Sequence, residues 1–271
     1  MPAPARSFTA GRLAVEVHPT RDDLGRAAAA AVSRHLRGVI ASQGAARVVL
    51  ACAPSQDEFL SELVDGERNP VDWASVTVFH MDEYVGIAPD HPRSFRRYLR
   101  DHFLDHVSVG AFHPIAGEAA DSAAECARYS ELLAARPIEL ICLGIGENGH
   151  IAFNDPPVAD FDDPVRVKMV RLDDACRQQQ VNDGCFPSAA EVPSHALTLT
   201  VPVFRAARRL SIHVPGPRKA AAVRAALEGP IGTACPASVL RLHPSATLYL
   251  DQAAAGGLHP CAPPARPVWR R

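Results

Sequence analysis

The stretch Ile138–Leu143 constrains this chain more than any other. Its six residues, Ile-Glu-Leu-Ile-Cys-Leu, are nearly all apolar and are followed at once by Gly144-Ile145-Gly146-Glu147-Asn148-Gly149-His150. An apolar run this short, closed by glycines, reads as a strand buried on both faces, the pattern of a parallel sheet. Similar runs occur at Leu13–Val17, Ala46–Ala51, Ser75–His80, Arg166–Val170, Leu210–Val214 and Thr247–Leu250.

Helical signals fall between these strands. Thr20 is placed to cap a helix with Asp22 and Asp23 in its first turn and an Ala-rich body reaching about Gly38. Further helices are expected over Asp57–Leu63, Ser94–His106, Asp121–Ala134 and Arg218–Leu227. Strands alternating with helices imply right-handed crossovers. The expected fold is therefore a three-layer α/β/α domain over residues 1–251, with a mostly parallel, Rossmann-like sheet covered by helices on both faces. Gln252–Arg271, rich in Ala, Gly and Pro, reads as a loosely held tail.

Composition narrows the function. The 271 residues carry 28 Lys+Arg against 30 Asp+Glu, a net charge of -2, so no field of one sign favours nucleic acid or an anionic membrane. No apolar run approaches the ~20 residues that span a bilayer, and Met1–Arg12 lacks the apolar core of a secretory signal. Seven scattered cysteines form no CxxC or CxxH pair, which suggests free thiols in a cytoplasmic protein rather than disulfides or a metal site. A small anionic substrate would have to be caught by local groups.

Two segments carry residues suited to chemistry, and both follow strands, where open α/β sheets bind ligands. The glycines after Leu143 resemble a GxGxxG turn, but a dinucleotide site needs a helix there, and Asn154-Asp155-Pro156-Pro157 stops one within a turn. No organic cofactor or metal is expected. His150 lies in this loop, and imidazole suits proton transfer in both directions near neutrality. Asp82 and Glu83 end the third strand, where partial desolvation would raise a carboxylate toward a useful base.

His80-Met81-Asp82-Glu83-Tyr84-Val85-Gly86-Ile87 resembles the MDEY motif of glucosamine-6-phosphate deaminases, and Gly144–Pro157 (GIGENGHIAFNDPP) resembles their glycine-rich segment. Ala196-Leu197-Thr198, Gly216-Pro217-Arg218-Lys219-Ala220, Leu227-Glu228-Gly229 and Leu242-His243-Pro244 follow in the family's order, so the resemblance spans Arg47–Asp251. The family shares its fold with lactonases of the pentose phosphate pathway; Ile151-Ala152-Phe153-Asn154 after the histidine favours the deaminase branch. The resemblance implies an enzyme that opens an aminosugar phosphate, isomerises it from aldose to ketose and releases ammonia. Asp82 would shuttle the proton, His150 would open the ring with Asn148 and Asp155 orienting it, and Ser55, Glu83, Gly149 and Lys219 would bind substrate.

Homo-oligomers are common in the family. A lactonase-like hydrolase and a non-catalytic sugar-phosphate-binding regulator are the alternatives. Three departures bear on them. Asp155 stands where the family has glutamate; Ala51-Cys52-Ala53-Pro54-Ser55-Gln56 replaces a glycine-bearing phosphate turn, and Pro54 removes an N–H donor. A substrate-binding arginine expected near residues 178–182 is replaced by Gln178-Gln179-Gln180-Val181-Asn182, with Arg177 out of register.

Overall fold

The computed structural model describes residues 3–259. Its strands are β1 (Arg6–Ala10), β2 (Leu13–His18), β3 (Ala46–Leu50), β4 (Val76–His80), β5 (Asp82–Tyr84), β6 (Ala111–His113), β7 (Leu140–Leu143), β8 (Val167–Arg171), β9 (His195–Leu199), β10 (Leu210–Val214) and β11 (Ala246–Asp251). The α-helices are α1 (Arg21–Gln43), α2 (Asp57–Leu63), α3 (Phe95–Leu99), α4 (Ser122–Ala134), α5 (Asp174–Asn182), α6 (Val201–Ala206) and α7 (Ala220–Glu228).

Eight strands form the main sheet in the order β1-β2-β11-β10-β7-β3-β4-β6. All its pairings are parallel except the hairpin of β1 with β2. Alternation along each strand sends side chains to two cores. Val48, Leu50 and Leu140 pack with Leu24, Leu36, Phe59 and Phe103 on the face covered by α1 and α2. Val49, Ile141 and Leu143 pack with Tyr129, Phe204 and Val223 on the face covered by α4, α6 and α7. The three-layer expectation holds, and every residue of β7 is buried.

Four expectations are corrected. α1 does not stop near Gly38 but runs on to Gln43, where Gly44 caps it. Gly38 is exposed with open space where a Cβ would lie, so the glycine costs the helix only about 1 kcal/mol. The segment after β4 does not extend that strand: at Met81 the chain leaves the main sheet, and β5 pairs antiparallel with β9 in a second sheet of order β5-β9-β8. Arg166–Val170 likewise contributes to this small sheet, as β8, rather than to the parallel one. Finally, Gln252–Leu258 is not loose. It forms a 3-10 turn at Ala254–Gly257, anchored by fully buried Ala254, whose N–H donates to Asp251. Residues 260–271 of the expected tail lie outside the described residues.

Three-residue β5 is set by its neighbours rather than by its own propensity. Asp82 pairs with Thr198 and Tyr84 with Ala196, and a third apolar cluster of Tyr84, Phe153, Leu172, Cys176 and Phe186 lies beneath. Asn154 ties the glycine-rich loop to this sheet, donating to Ile151 O (2.9 Å) and Leu199 O (2.8 Å). The small sheet thus holds two chemically interesting segments at fixed positions beyond the large one.

Candidate active site

Four adjacent central strands, β10, β7, β3 and β4, end at one cleft. The turn after β3 supplies Ser55 and Gln56, the exit from β4 supplies Asp82, the loop after β7 supplies Gly144, Gly146 and His150, and the turn after β10 supplies Lys219. The cleft, part of it open to solvent, holds about 640 Å³ of space not filled by protein atoms. Asp82 and His150 stand at the ends of different strands, 68 positions apart in the chain, yet line the same cleft.

Asp82 is 8% exposed, and no side chain hydrogen-bonds or ion-pairs with its carboxylate among the described residues. Burial first, and the neighbouring Glu83 charge second, push its pKa well above the ordinary carboxylate range. His150 is held differently. Its Nδ1 lies 2.9 Å from Asp155 Oδ1 in a short but bent contact, and Asn148 Nδ2 donates to the same oxygen at 2.8 Å. Asn148 Oδ1 in turn accepts from the His150 backbone N–H at 3.0 Å. Burial raises the Asp155 pKa, but the bond and charge of His150, with Asn148 and Cys176, outweigh it and leave the carboxyl lowered. Asp155 therefore stays ionised beside the imidazole.

The shorter Asp155 reaches His150 because the loop turns tightly. Ala152 adopts φ 48°, a left-handed conformation costing about 1–2 kcal/mol, and the Ile151–Asn154 bridge locks it. Gly146 lies against the imidazole face: a Cβ there would fall under 3.0 Å from three ring atoms.

Two expected substrate contacts are corrected. Glu83 does not line the cleft. Consecutive strand residues face opposite ways, and its carboxylate turns inward, where Ser94 Oγ (2.7 Å), Phe95 N (3.2 Å), Arg96 N (3.2 Å) and Arg96 Nε (3.1 Å) donate to it. Burial still leaves its pKa raised despite these donors. Gly149 does not line the cleft either. Its N–H donates to Gly146 O at 3.0 Å, and with φ 86° it packs where a Cβ would strike Cys235 Sγ. Asn148 and Asp155 stand behind His150, away from the cleft lining.

Ser55 and Lys219 do line the cleft. Lys219 is 7% exposed, its ammonium forms no hydrogen bond or ion pair among the described residues, and burial lowers its pKa against the pull of Asp183 and Glu147. The sequence reading missed α5, whose Gln179 and Gln180 line the cleft along with Asp183 beyond it. Gln179 Oε1 accepts from Glu147 N at 2.7 Å, and Tyr84 Oη donates to Gln180 Oε1 at 2.8 Å. Nothing in the local pattern marks these glutamines; only the missing arginine drew attention to the window. Arg177 points away, donating to Ala189 O and Val192 O. Arg218 is drawn off by Asp183 (3.2 Å) and the Asn182 carbonyl (2.5 Å).

A parallel sheet whose strand ends present a desolvated carboxylate and a histidine backed by a second carboxylate is an arrangement suited to moving protons on a small polar molecule. The family model described as glucosamine-6-phosphate isomerases/6-phosphogluconolactonase matches residues 19–249, and the chain belongs to that family. A glucosamine-6-phosphate deaminase of Listeria monocytogenes is 36% identical over 206 residues, covering 76% of this chain and 85% of the relative. One of Bacillus cytotoxicus is 34% identical over 219 residues, covering 81% and 80%. Among solved structures, a monomeric glucosamine-6-phosphate deaminase superposes with a TM-score of 0.81 at 31% identity over 90% of this chain and 99% of that one. A 6-phosphogluconolactonase of Shewanella baltica (TM-score 0.73, 19% identity, 90% and 100% covered) shares the fold. No helix among the described residues is long and apolar enough to cross a membrane.

Proposed function

We propose that the chain converts glucosamine 6-phosphate, or a close aminosugar phosphate, to fructose 6-phosphate and ammonia, as a cytoplasmic deaminating isomerase. The observation that carries this reading is the pairing, in one cleft, of a desolvated carboxylate without a partner and a histidine fixed by a carboxylate. The family membership and the deaminase relatives support it.

Each group has a role its environment suits. His150, with Asp155 steadying its Nδ1 side, takes the proton of the O1 hydroxyl and returns one to the ring oxygen, opening the pyranose to the aldehyde. Asp82 then removes the C2 proton. The electron pair left at C2 forms the C1–C2 double bond of an enolamine, and O1 takes up the proton that the substrate's C2 ammonium gives up. Asp82 returns its proton to C1, O1 stays as a hydroxyl, and the nitrogen becomes an imine at C2. Water adds to that imine and ammonia leaves, giving the 2-ketose. A raised pKa makes Asp82 a competent acid on return as well as a base on departure. Ser55 and Lys219 hold the phosphate at the other end, Lys219 as a point charge at the start of α7.

The test is direct. Purified protein given glucosamine 6-phosphate should release ammonia and fructose 6-phosphate in equal amounts, and substrate deuterated at C2 should deliver deuterium to C1 of the product. Rapid hydrolysis of 6-phosphogluconolactone with no ammonia from any aminosugar phosphate would assign the site to the lactonase side of the family instead.

A further inference from the structure

Beneath Ser55 runs a buried polar chain that the chemistry above does not use. His213, on β10, is fully buried between the rings of Phe59 and Tyr249, and Gln56 is 1% exposed. The Gln56 amide nitrogen lies 3.3 Å from the His213 backbone carbonyl and 3.1 Å from Ser55 Oγ. Its amide oxygen lies 2.8 Å from His213 Nδ1, and His213 Nε2 lies 2.7 Å from Ser211 Oγ.

One acceptor-only group sets every direction in this chain. A backbone carbonyl cannot donate, so the NH₂ end of Gln56 must face the His213 oxygen. The second hydrogen of that NH₂ goes to Ser55 Oγ. The Gln56 oxygen then receives a hydrogen from Nδ1, which fixes the imidazole tautomer, and the Ser211 hydroxyl donates to Nε2. Burial lowers the His213 pKa to about 3, so the ring stays neutral and this polarity persists near neutral pH. Ser55 has accepted one bond and still holds a hydroxyl hydrogen, with no acceptor among the described residues, on the cleft wall.

We infer that Gln56 and His213 are positioning residues that hold Ser55 as a dedicated donor to a phosphate oxygen of the ligand. This side-chain donor makes up for the backbone N–H that Pro54 removes from the turn. The inference rests on the phosphate-binding part of the function proposed above.

Calorimetric titration with glucosamine 6-phosphate and with inorganic phosphate tests the relay independently of turnover. Ser55→Ala, Gln56→Leu and His213→Leu should each weaken both ligands by about ten- to a hundred-fold, as expected for loss of one hydrogen bond to a charged group. His213→Asn, whose amide can donate where Nδ1 did, should stay within about threefold of wild type. Gln56→Leu added to Ser55→Ala should cost nothing more, because its only effect passes through Ser55.

Unchanged affinity in Gln56→Leu, or the same loss repeated in the Ser55→Ala background, overturns the relay. So does a wild-type protein that binds neither probe. Thermal melts identify a variant that fails to fold, and Gln56→Leu carries the test if His213→Leu does. Binding of phosphate without ammonia release would defeat the deaminase reading and leave the relay standing; normal turnover with unaffected relay variants would do the reverse.

Discussion

Replacing Gly146 by alanine adds one methyl carbon against the face of the His150 imidazole. Gly146 is not among the glycines with positive φ, so the backbone accepts alanine without strain. The new Cβ would nonetheless sit under 3.0 Å from Cε1, Nε2 and Nδ1 of the ring, whereas ordinary contact begins at 3.4 Å. The imidazole must retreat by about 1 Å, and it cannot do so while keeping Nδ1 at 2.9 Å from Asp155. Displacement of a catalytic group by about 1 Å typically costs on the order of 10²-fold. Gly146→Ala should therefore lower kcat for ammonia release by about a hundred-fold, with little change in KM because Ser55 and Lys219 are untouched. Steady-state kinetics and a thermal melt on the same preparation decide the matter. A folded variant with kcat within threefold of wild type would refute the role given to the His150–Asp155 geometry.

Asp82→Asn should reduce turnover by about 10²–10⁴-fold, as loss of a general base does, yet stabilise the fold. The raised pKa means that the folded state binds the Asp82 proton more tightly than the unfolded chain. Ionisation therefore erodes stability as pH rises above the unfolded pKa of about 3.9, by about 1.4 kcal/mol for each pH unit up to the folded-state pKa, and asparagine removes that loss. Its gain in Tm should be larger at pH 7.5 than at pH 5; a gain independent of pH would contradict the burial argument. For the wild type, the acidic limb of kcat/KM should fall above the ordinary carboxylate range, since activity is lost as Asp82 becomes protonated; a limb near about pH 4 would show a solvated carboxylate instead. Arg96→Leu should cost about 3–5 kcal/mol in urea unfolding by stranding the fully buried Glu83, and adding Glu83→Gln should recover part of it. A loss under about 1 kcal/mol would mean that water or rearrangement reaches Glu83.

The legible parts of this protein were those fixed by nearby residues. Thr20 and Asp121 cap α1 and α4 through their own side chains, bonding N–H groups two or three residues on, so a short window of sequence suffices to find them. The all-apolar pattern of β7 announces a strand buried on both faces, and the following glycines announce a turn. That Asp82 and His150 line one cleft was legible because each sits in a distinctive segment just past a strand, where ligand sites of such sheets lie. α5 was missed because its short, glutamine-rich sequence has weak amphipathic character and acquires its place by packing Cys176 and Gln180 beneath β5.

The amino-acid sequence by itself determined the alternation of strands and helices, the sharp loop after β7 and the supply of one carboxylate and one imidazole near strand ends. Only the tertiary structure decided which polar groups remain available. Asp82 and Glu83 are chemically alike and adjacent, yet departure of β5 into a second sheet, paired with residues more than a hundred positions later, turns one toward the cleft and the other toward Arg96. Gly149 looked like a ligand donor until the loop closed and spent its N–H on Gly146. Hydrogen-bond satisfaction and desolvation are set by contacts between segments far apart in the chain, and no local window of residues contains them.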